Sequence, residues 1–325
     1  MTATAVTVRG LSAAYADQRG PVAVLEDLEF ELAPGERLAV VGQSGGGKST
    51  LLHVLAGLLA PTSGEVRIGV SAGGDALSCV DAAVGAAGPA IGAGVAGYAA
   101  SPTGRAASPA AYMFQHDLLL AWKTVLDNVV FAAEMAARGS CARAARASLR
   151  AQAADMLEEF GLGGVLNALP SELSGGMRQR VALARTLLLG RGLVLLDEPF
   201  GSLDALTRAE MQSWLLDVMA THPATWVLVT HDVREAVLLG DKVAVLAGRP
   251  ARLEGWVDVP LTAAERRGLA ALETGGPLSP AADAGRAGSE SAVCPRPSAI
   301  DLDAAAHTMA QLAARVRAQL GQRRA

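Results

Sequence analysis

Cysteine and aromatic residues are scarce in this sequence of 325 residues. The three cysteines, Cys79, Cys141 and Cys294, stand far apart and form no Cys-x-x-Cys pair or Cys/His cluster. That spacing argues against a zinc site and against a disulfide framework. The first residues also lack the charged segment and apolar run of a signal peptide. We therefore expect free thiols in a reducing compartment.

The sequence also has no large excess of acidic or of basic residues. The formal net charge is -4, and acidic and basic residues are interleaved along the chain. A chain that binds nucleic acid usually carries a basic patch or stripe. The sequence therefore predicts no nucleic-acid partner.

Long runs of large apolar side chains are absent as well. Residues 82–104 carry no charge and are numerous enough to span a bilayer, but they include six glycines and two prolines. Insertion into a bilayer needs Leu, Ile, Phe or Val, because alanine and glycine contribute little transfer free energy. We interpret the segment as a loop within an Ala/Gly/Ser-rich insertion at about 69–110.

Short apolar runs do alternate with helical patterns. Residues 149–160 carry apolar side chains at helical spacing, and Gly161 follows as a stop. Apolar runs at 6–8 and 28–32 have no helix between them and predict a small antiparallel sheet beside the main one. Strands that alternate with helices predict an α/β fold with a mainly parallel sheet. The strands expected to be buried on both faces are 38–41, 193–196, 226–229 and 243–246.

Two helix starts are predicted from capping boxes. In each, a short polar side chain is followed three residues later by a glutamate. The pairs are Thr207 with Glu210, and Asp232 with Glu235.

The main domain is expected to span residues 1–257, and residues 258–325 to form a C-terminal extension. Gly, Pro, Ser and Ala dominate at about 274–298 and predict a flexible linker. A terminal helix is predicted at about 299–320, with Ser298 and Asp301 as candidate caps. Its apolar stripe consists of Leu302, Met309, Leu312, Val316 and Leu320.

A glycine-rich loop with the spacing G-x-x-x-x-G-K-[ST] occupies residues 42–49, between an apolar strand and a helical pattern. Its glycines let successive backbone N–H groups point at phosphate oxygens, and the following helix adds the positive end of its dipole. Lys48 is placed to reach the β- and γ-phosphates, and the Ser49 hydroxyl to ligate magnesium. The residues predicted to hold the nucleotide here are Gly42, Ser44, Gly45, Gly46, Gly47, Lys48, Ser49 and Thr50.

Two carboxylates, Asp197 and Glu198, follow directly on the apolar run at 193–196. Asp197 is suited to hold magnesium through water. Glu198 is suited to polarise the attacking water as general base, since such a base must lie within hydrogen-bond reach of the nucleophile. A further anion site is predicted at the helix start formed by Ser174, Gly175 and Gly176, which offers free backbone N–H groups.

The order of these motifs resembles the nucleotide-binding subunits of ABC transporters over about residues 4–257. The motifs are the segments 42–49, 173–180, 193–198 and 202–204 together with Gln115 and His231. The resemblance implies a P-loop NTPase fold with a mainly parallel sheet core, an antiparallel β subdomain and an α-helical signature subdomain. It also implies ATP and Mg²⁺ as cofactors.

The resemblance also implies roles for single residues. Gln115 is expected to contact magnesium and water and to sense a membrane subunit, and His231 to contact the γ-phosphate. Tyr15 is placed like the aromatic residue that stacks on adenine. Asp204 is expected at the dimer interface. Ser174, Gly175 and Gly176 are expected to bind the γ-phosphate of ATP held by the opposite copy of a homodimer or related heterodimer.

Three further segments resemble the importer branch that serves nitrate, sulfonates, taurine and hydroxymethylpyrimidine-type thiamine precursors. They are residues 112–128, 197–208 and 247–250. This implies partners: integral-membrane permease subunits and, through them, a periplasmic or lipoprotein solute-binding protein. The expected location is peripheral, on the cytoplasmic face of the cell membrane. Ala121 stands where that branch usually has proline, which we expect to loosen the turn before Trp122. The alternatives are the ATPase of an exporter and a soluble ABC protein.

Overall fold

The computed structural model describes residues 2–17, 20–69, 110–136, 143–274 and 302–321. Most of the predicted insertion at 69–110 and of the predicted linker at 274–298 therefore lies outside the described residues. Within the described ranges, no helix has both the length and the apolar character that crossing a membrane requires. The strands are β1 (Ala5–Asp17), β2 (Gly20–Leu32), β3 (Arg37–Gly42), β4 (Ser63–Gly69), β5 (Ala111–Met113), β6 (Leu193–Asp197), β7 (Thr225–Thr230), β8 (Lys242–Gly248) and β9 (Ala251–Asp258). The α-helices are α1 (Lys48–Leu55), α2 (Val125–Ala136), α3 (Arg143–Glu159), α4 (Gly175–Leu187), α5 (Ala205–Thr221), α6 (Val233–Leu239), α7 (Ala263–Thr274) and α8 (Leu302–Gly321).

All nine strands belong to one sheet with the order β4-β1-β2-β9-β8-β3-β7-β6-β5. The strands β8, β3, β7, β6 and β5 run parallel to one another and form the centre of the α/β fold. Residues 193–196 are fully buried, as expected for a strand covered on both faces. The four buried strands predicted from apolar runs are confirmed as parts of β3, β6, β7 and β8.

The antiparallel strands form one end of this same sheet. β1 pairs antiparallel with both β2 and β4, as the N-terminal apolar runs predicted. A single parallel pairing, Leu25 with Ala251, joins β2 to β9. The expectation of a separate small sheet is therefore wrong, because β9 turns back on β8 and its other edge accepts β2.

The helix caps differ in part from the sequence prediction. α5 begins three residues earlier than expected, because the Asp204 carboxylate accepts a hydrogen bond from the backbone N–H of Thr207. The capping box of Thr207 with Glu210 is therefore wrong. Asp232 does cap α6, but the Glu235 side chain turns inward to accept a hydrogen bond from Gln212, at 3.4 Å.

The C-terminal helices pack on the main sheet layer. Met309, Leu312 and Val316 of α8 are buried in the same apolar core as α6 and β8, which confirms the centre of the predicted stripe. The candidate caps Ser298 and Asp301 lie outside the described residues. The predicted boundary at 257 lies one residue before the end of β9, and α7 and α8 complete the core beyond it.

Arg266 of α7 is fully buried, and its hydrogen bonds connect α7 to the end of α6. Its guanidinium donates to the carbonyl oxygens of Val237 and Leu238 at the end of α6, at 3.0 and 2.7 Å, and to Asp241 at 3.3 Å. It also donates to Leu261 and Val259. Burial lowers the pKa of Arg266 to about 10, so the side chain still carries its charge at neutral pH.

We expect Arg266→Ala to lower the free energy of unfolding by about 3–5 kcal/mol, because it removes the donor to the carbonyl oxygens of Val237 and Leu238 and one of the two arginines that bond to the Asp241 carboxylate. Chemical denaturation measures the loss. Arg267→Ala is the matched control, since Arg267 makes an exposed contact with Asp217 at 3.9 Å, and its loss should cost under about 1 kcal/mol. Equal losses in the two variants would contradict the structural role of Arg266.

Candidate active site

The glycine-rich loop joins β3 to α1 and can close only with glycine at two positions. Gly47 has φ +81°, and a Cβ there would lie 2.8 Å from the Leu25 side chain. A Cβ on Gly42 would lie 2.6 Å from the carbonyl oxygen of Leu246. The left-handed conformation and the close approach together explain the glycines. The backbone can thus curl tightly at the start of α1.

Lys48 lies inside this loop. Its ammonium donates to the carbonyl oxygens of Gly42 and Gln43, at 3.1 and 3.0 Å, and the residue is only 5% exposed. Burial lowers the pKa of Lys48, while the charges of Glu198 and Asp197 act in the opposite direction. The loop therefore holds a cation at its centre, beside two carboxylates.

Ser49 and Asp197 meet next to the loop. The Ser49 hydroxyl donates to Asp197 Oδ1 at 3.1 Å, although 148 positions separate the two residues. Asp197 is the last residue of β6, so the parallel sheet delivers its carboxylate to the start of α1. A hydroxyl and a carboxylate are the hard oxygen ligands that Mg²⁺ prefers. The pair fits a magnesium ion.

Tyr112 contacts the other oxygen of this carboxylate. Its hydroxyl donates to Asp197 Oδ2 at 2.9 Å. Burial raises the pKa of Tyr112, and the neighbouring Asp197 charge raises it further, so the phenol stays protonated and can donate. The sequence gives no local signal for this role of Tyr112, because its contact with Asp197 depends on the pairing of β5 with β6.

Glu198 contacts the two other residues that were predicted to be catalytic, Gln115 and His231. Its Oε2 accepts a hydrogen bond from the Gln115 side-chain amide at 3.3 Å, and His231 Nδ1 lies 3.3 Å from the same oxygen. The backbone of Glu198 has φ +45°, a left-handed conformation that residues other than glycine seldom adopt. In the described part of the chain Gln115 contacts Glu198 and not Asp197, so its place at magnesium stays a prediction.

Tyr15 lies beside α1 and is 41% exposed. Its hydroxyl is 3.3 Å from His53 Nδ1, and the His53 ring lies 5.7 Å from the Tyr112 ring. An exposed aromatic ring near the glycine-rich loop is available for a flat base. The adenine contact of Tyr15 stays a prediction.

The second predicted anion site lies at the start of α4. Ser174 caps the helix, with its hydroxyl oxygen accepting from the backbone N–H of Met177 at 3.3 Å. A Cβ on Gly175 would lie 3.3 Å from the Leu203 side chain, in the loop before α5. A Cβ on Gly176 would lie 3.2 Å from the Thr207 side chain, in α5. No hydrogen bond among the described residues links the three predicted residues of this site to the glycine-rich loop. The small residues here also serve the packing of α4.

The loop between Gln115 and α2 exposes apolar side chains. Trp122 is 76% exposed and Leu118 is 54% exposed, and Phe114, directly before Gln115, is 40% exposed. The turn that we expected Ala121 to loosen is closed, because the backbone N–H of Lys123 donates to Leu120 at 3.0 Å. We call residues 118–122 the exposed loop.

Two arginines of α4 hold the start of the exposed loop. Arg185 donates to the carbonyl oxygens of Asp117 and Leu118, and Arg178 donates to the Asp117 carboxylate at 3.2 Å. These contacts connect the loop to the same helix that Ser174 caps. Sequence reasoning missed both arginines as loop supports.

The buried side chain of Asn128 holds the other end of the exposed loop. Its amide donates to the carbonyl oxygens of Leu120, Lys123 and Thr124, at 3.2, 2.9 and 3.0 Å. Its oxygen accepts from the backbone N–H of Leu120 at 2.7 Å. A single side chain therefore lies within hydrogen-bond distance of four backbone groups at this end of the loop.

The family model for ABC transporters matches residues 25–201, which include the glycine-rich loop, Gln115, α4 and the two carboxylates. The chain belongs to the ABC transporter family. As a member of that family it binds ATP, and its enzymatic activity is that of an ABC transporter ATPase.

Individual ABC proteins show the same relationship. The nitrate transport protein NasD of Klebsiella oxytoca is 35% identical over 250 residues, covering 77% of this chain and 83% of that protein. The aliphatic sulfonates import ATP-binding protein SsuB of Shigella flexneri is 39% identical over 237 residues, covering 73% and 76%. The taurine import ATP-binding protein TauB of Burkholderia pseudomallei is 39% identical over 243 residues, covering 75% and 80%.

The fold of this ABC ATPase also matches a solved structure. The dimeric structure of MJ0796, a bacterial ABC transporter cassette, aligns with a TM-score of 0.58 and 24% identity, over 79% of this chain and all of that one. At this level of identity the similarity supports the fold alone. The ABC cassette fold predicted from the motifs is confirmed.

Proposed function

We propose that this chain is the ATP-hydrolysing subunit of an ABC importer for a small anionic nutrient. The observation that carries the proposal is the convergence of Gln115 and His231 on one oxygen of Glu198, beside Lys48 and the Ser49–Asp197 pair. The named relatives supply the substrate class. Nitrate, aliphatic sulfonates and taurine all bear a negatively charged oxyanion group.

Hydrolysis follows from the placement of these side chains. Glu198 accepts a proton from the attacking water, whose oxygen bonds to the γ-phosphorus as the bond to the β–γ bridging oxygen breaks and ADP leaves. Gln115 and His231 hold the Glu198 carboxylate toward that water. Lys48 stabilises charge on the β- and γ-phosphates. Mg²⁺, held by Ser49 and Asp197 with Gln115 nearby, would neutralise further phosphate charge.

A complete site is proposed to need two copies. Ser174, Gly175 and Gly176 would close on the γ-phosphate of ATP bound to the partner copy, and Asp204 would line the interface. The exposed position of Ser174 and Asp204 supports this arrangement. The dimeric state of the MJ0796 cassette is consistent with it. A homodimer and a heterodimer with a related ATPase both satisfy the geometry.

The exposed loop is proposed as the contact with the membrane permease. Trp122 and Leu118 offer apolar surface to a partner, and the loop follows Gln115 directly. Arg178 and Arg185 tie it to α4, so a displacement at the loop would move the helix that Ser174 caps. On this proposal the chain lies at the cytoplasmic face of the membrane, with a periplasmic or lipoprotein solute-binding protein beyond the permease. The hydroxymethylpyrimidine-type solute stays a prediction from the resemblance of sequence segments.

The test is ATPase activity in proteoliposomes that contain a candidate permease and its solute-binding protein. We expect nitrate, taurine or an alkanesulfonate to stimulate turnover, and Trp122→Ala to lose most of that stimulation while keeping basal turnover. A central tryptophan contributes about 2 kcal/mol or more to such an interface, roughly a 30-fold change in affinity.

The matched control is Leu272→Ala, which removes a 60% exposed leucine on α7, and it should retain stimulation. Stimulation lost equally in both variants would contradict the role of the exposed loop. ATPase activity that responds to none of these solutes would contradict the importer assignment and favour an exporter or a soluble ABC protein.

A further inference from the structure

Asp197 is held at both of its carboxylate oxygens by groups from different elements. Ser49 donates to Oδ1 at 3.1 Å from the start of α1, and Tyr112 donates to Oδ2 at 2.9 Å from β5. A hydrogen bond to an ionised carboxylate is roughly twice as strong as one between neutral groups. The orientation of the Asp197 carboxylate is therefore set by two contacts.

The two contacts differ in what they can do when a cation binds. The Ser49 hydroxyl is itself a candidate magnesium ligand, because its oxygen lone pairs can face the ion while its hydrogen is donated to Asp197. The Tyr112 phenol has no such second duty. Its hydrogen bond would keep Oδ2 in place whether or not Mg²⁺ is bound.

The Tyr112 ring is fixed by its neighbours. Phe114 packs against it edge-on, with ring centroids 4.4 Å apart, and the ring of His53, on α1, lies 5.7 Å away. His53 in turn lies 3.3 Å from the Tyr15 hydroxyl. A donor whose ring is packed in this way loses little side-chain freedom when it forms the bond.

We propose that Tyr112 is a positioning residue of the magnesium site, which fixes Asp197 through its hydroxyl and thereby sets the affinity for Mg²⁺ in the nucleotide complex. The proposal rests on the proposed ATP site. Outer partners of metal ligands typically contribute 10–100-fold to metal affinity. Because Asp197 is expected to act through water, we place the effect of Tyr112 near the lower end.

The test measures magnesium dependence without turnover. In the Glu198→Gln background, binding of a fluorescent ATP analogue is titrated with Mg²⁺, and separately measured in EDTA. We expect Tyr112→Phe to raise the Mg²⁺ concentration for half-maximal binding about tenfold and to leave binding in EDTA unchanged. A merely structural defect would weaken binding in both conditions.

Two further variants make the result specific. Thr186→Val removes another buried hydroxyl, one that donates to Ala182 at 2.8 Å within α4, and should leave the magnesium requirement unchanged. Asp197→Asn should abolish the effect of Tyr112→Phe, because the two residues act through one contact and their effects are not additive.

A wild-type magnesium requirement in folded Tyr112→Phe would overturn the proposal, and so would an effect that persists in full on the Asp197→Asn background. Loss of the fold in Tyr112→Phe, seen by circular dichroism, would also overturn it, since only the hydroxyl is removed and the packed ring remains. If the Glu198→Gln protein itself shows no magnesium-dependent nucleotide binding, the proposed ATP site fails instead, which separates the two ideas.

Discussion

Glu198→Gln is expected to lower ATP turnover by roughly 10²–10⁴-fold and to leave the protein able to bind ATP. The amide has the shape of the carboxylate and can keep the contacts with Gln115 and His231. It cannot accept a proton from water, so the chemical step loses its base. ATP should then persist in the site and hold two copies together, which size-exclusion chromatography with ATP measures alongside phosphate release.

Glu235→Gln serves as the control for this change. Burial raises the pKa of Glu235 to about 8, and the nearby Asp232 charge adds to the shift, so the side chain is mostly protonated at neutral pH. A neutral amide therefore resembles its resting state, and turnover should stay close to that of the wild type. Near wild-type turnover in Glu198→Gln would refute the general-base role.

Lys48→Ala is expected to abolish most nucleotide binding. The lysine is the only cation that the glycine-rich loop itself contributes, and its ammonium already lies among the loop carbonyls. Two hydrogen bonds to charged phosphates contribute about 1.5–3 kcal/mol each, so affinity for ATP should fall roughly 10²–10⁴-fold. Equilibrium binding of a fluorescent ATP analogue gives the value.

Lys242→Ala is the matched control for the charge change. Lys242 pairs with Glu36 at 2.9 Å, on β8 rather than in the loop, and its loss should leave nucleotide affinity unchanged. Unchanged affinity in Lys48→Ala would count against the phosphate assignment. A fall of similar size in both variants would point to general destabilisation instead.

The centre of the fold could be predicted because its signals are local. Residues 193–196 are apolar without interruption, which is the pattern of a strand covered on both faces. The glycine-rich loop has a fixed spacing, and the structure supplies the steric reason for Gly42 and Gly47. These features need no knowledge of distant partners.

The errors arose where two local patterns compete or where pairing is distant. Asp204 and Thr207 are both candidate caps near the start of α5, and the three-residue spacing to Glu210 favoured Thr207, although Asp204 is the cap. The contact of Tyr112 with Asp197 spans 85 positions and depends on how β5 and β6 align. Nothing in the sequence around Arg266 distinguishes a fully buried arginine from a solvated one.

The hydrogen bonds of Asn128 affect the conformational entropy that a partner must overcome when it binds the exposed loop. A loop without them would sample many conformers, and binding would have to select one at a cost of about 1–2 kcal/mol for each residue ordered. Here that conformational entropy is already lost when the chain folds. Trp122 is thus presented before any encounter, and docking can proceed as a rigid-body fit.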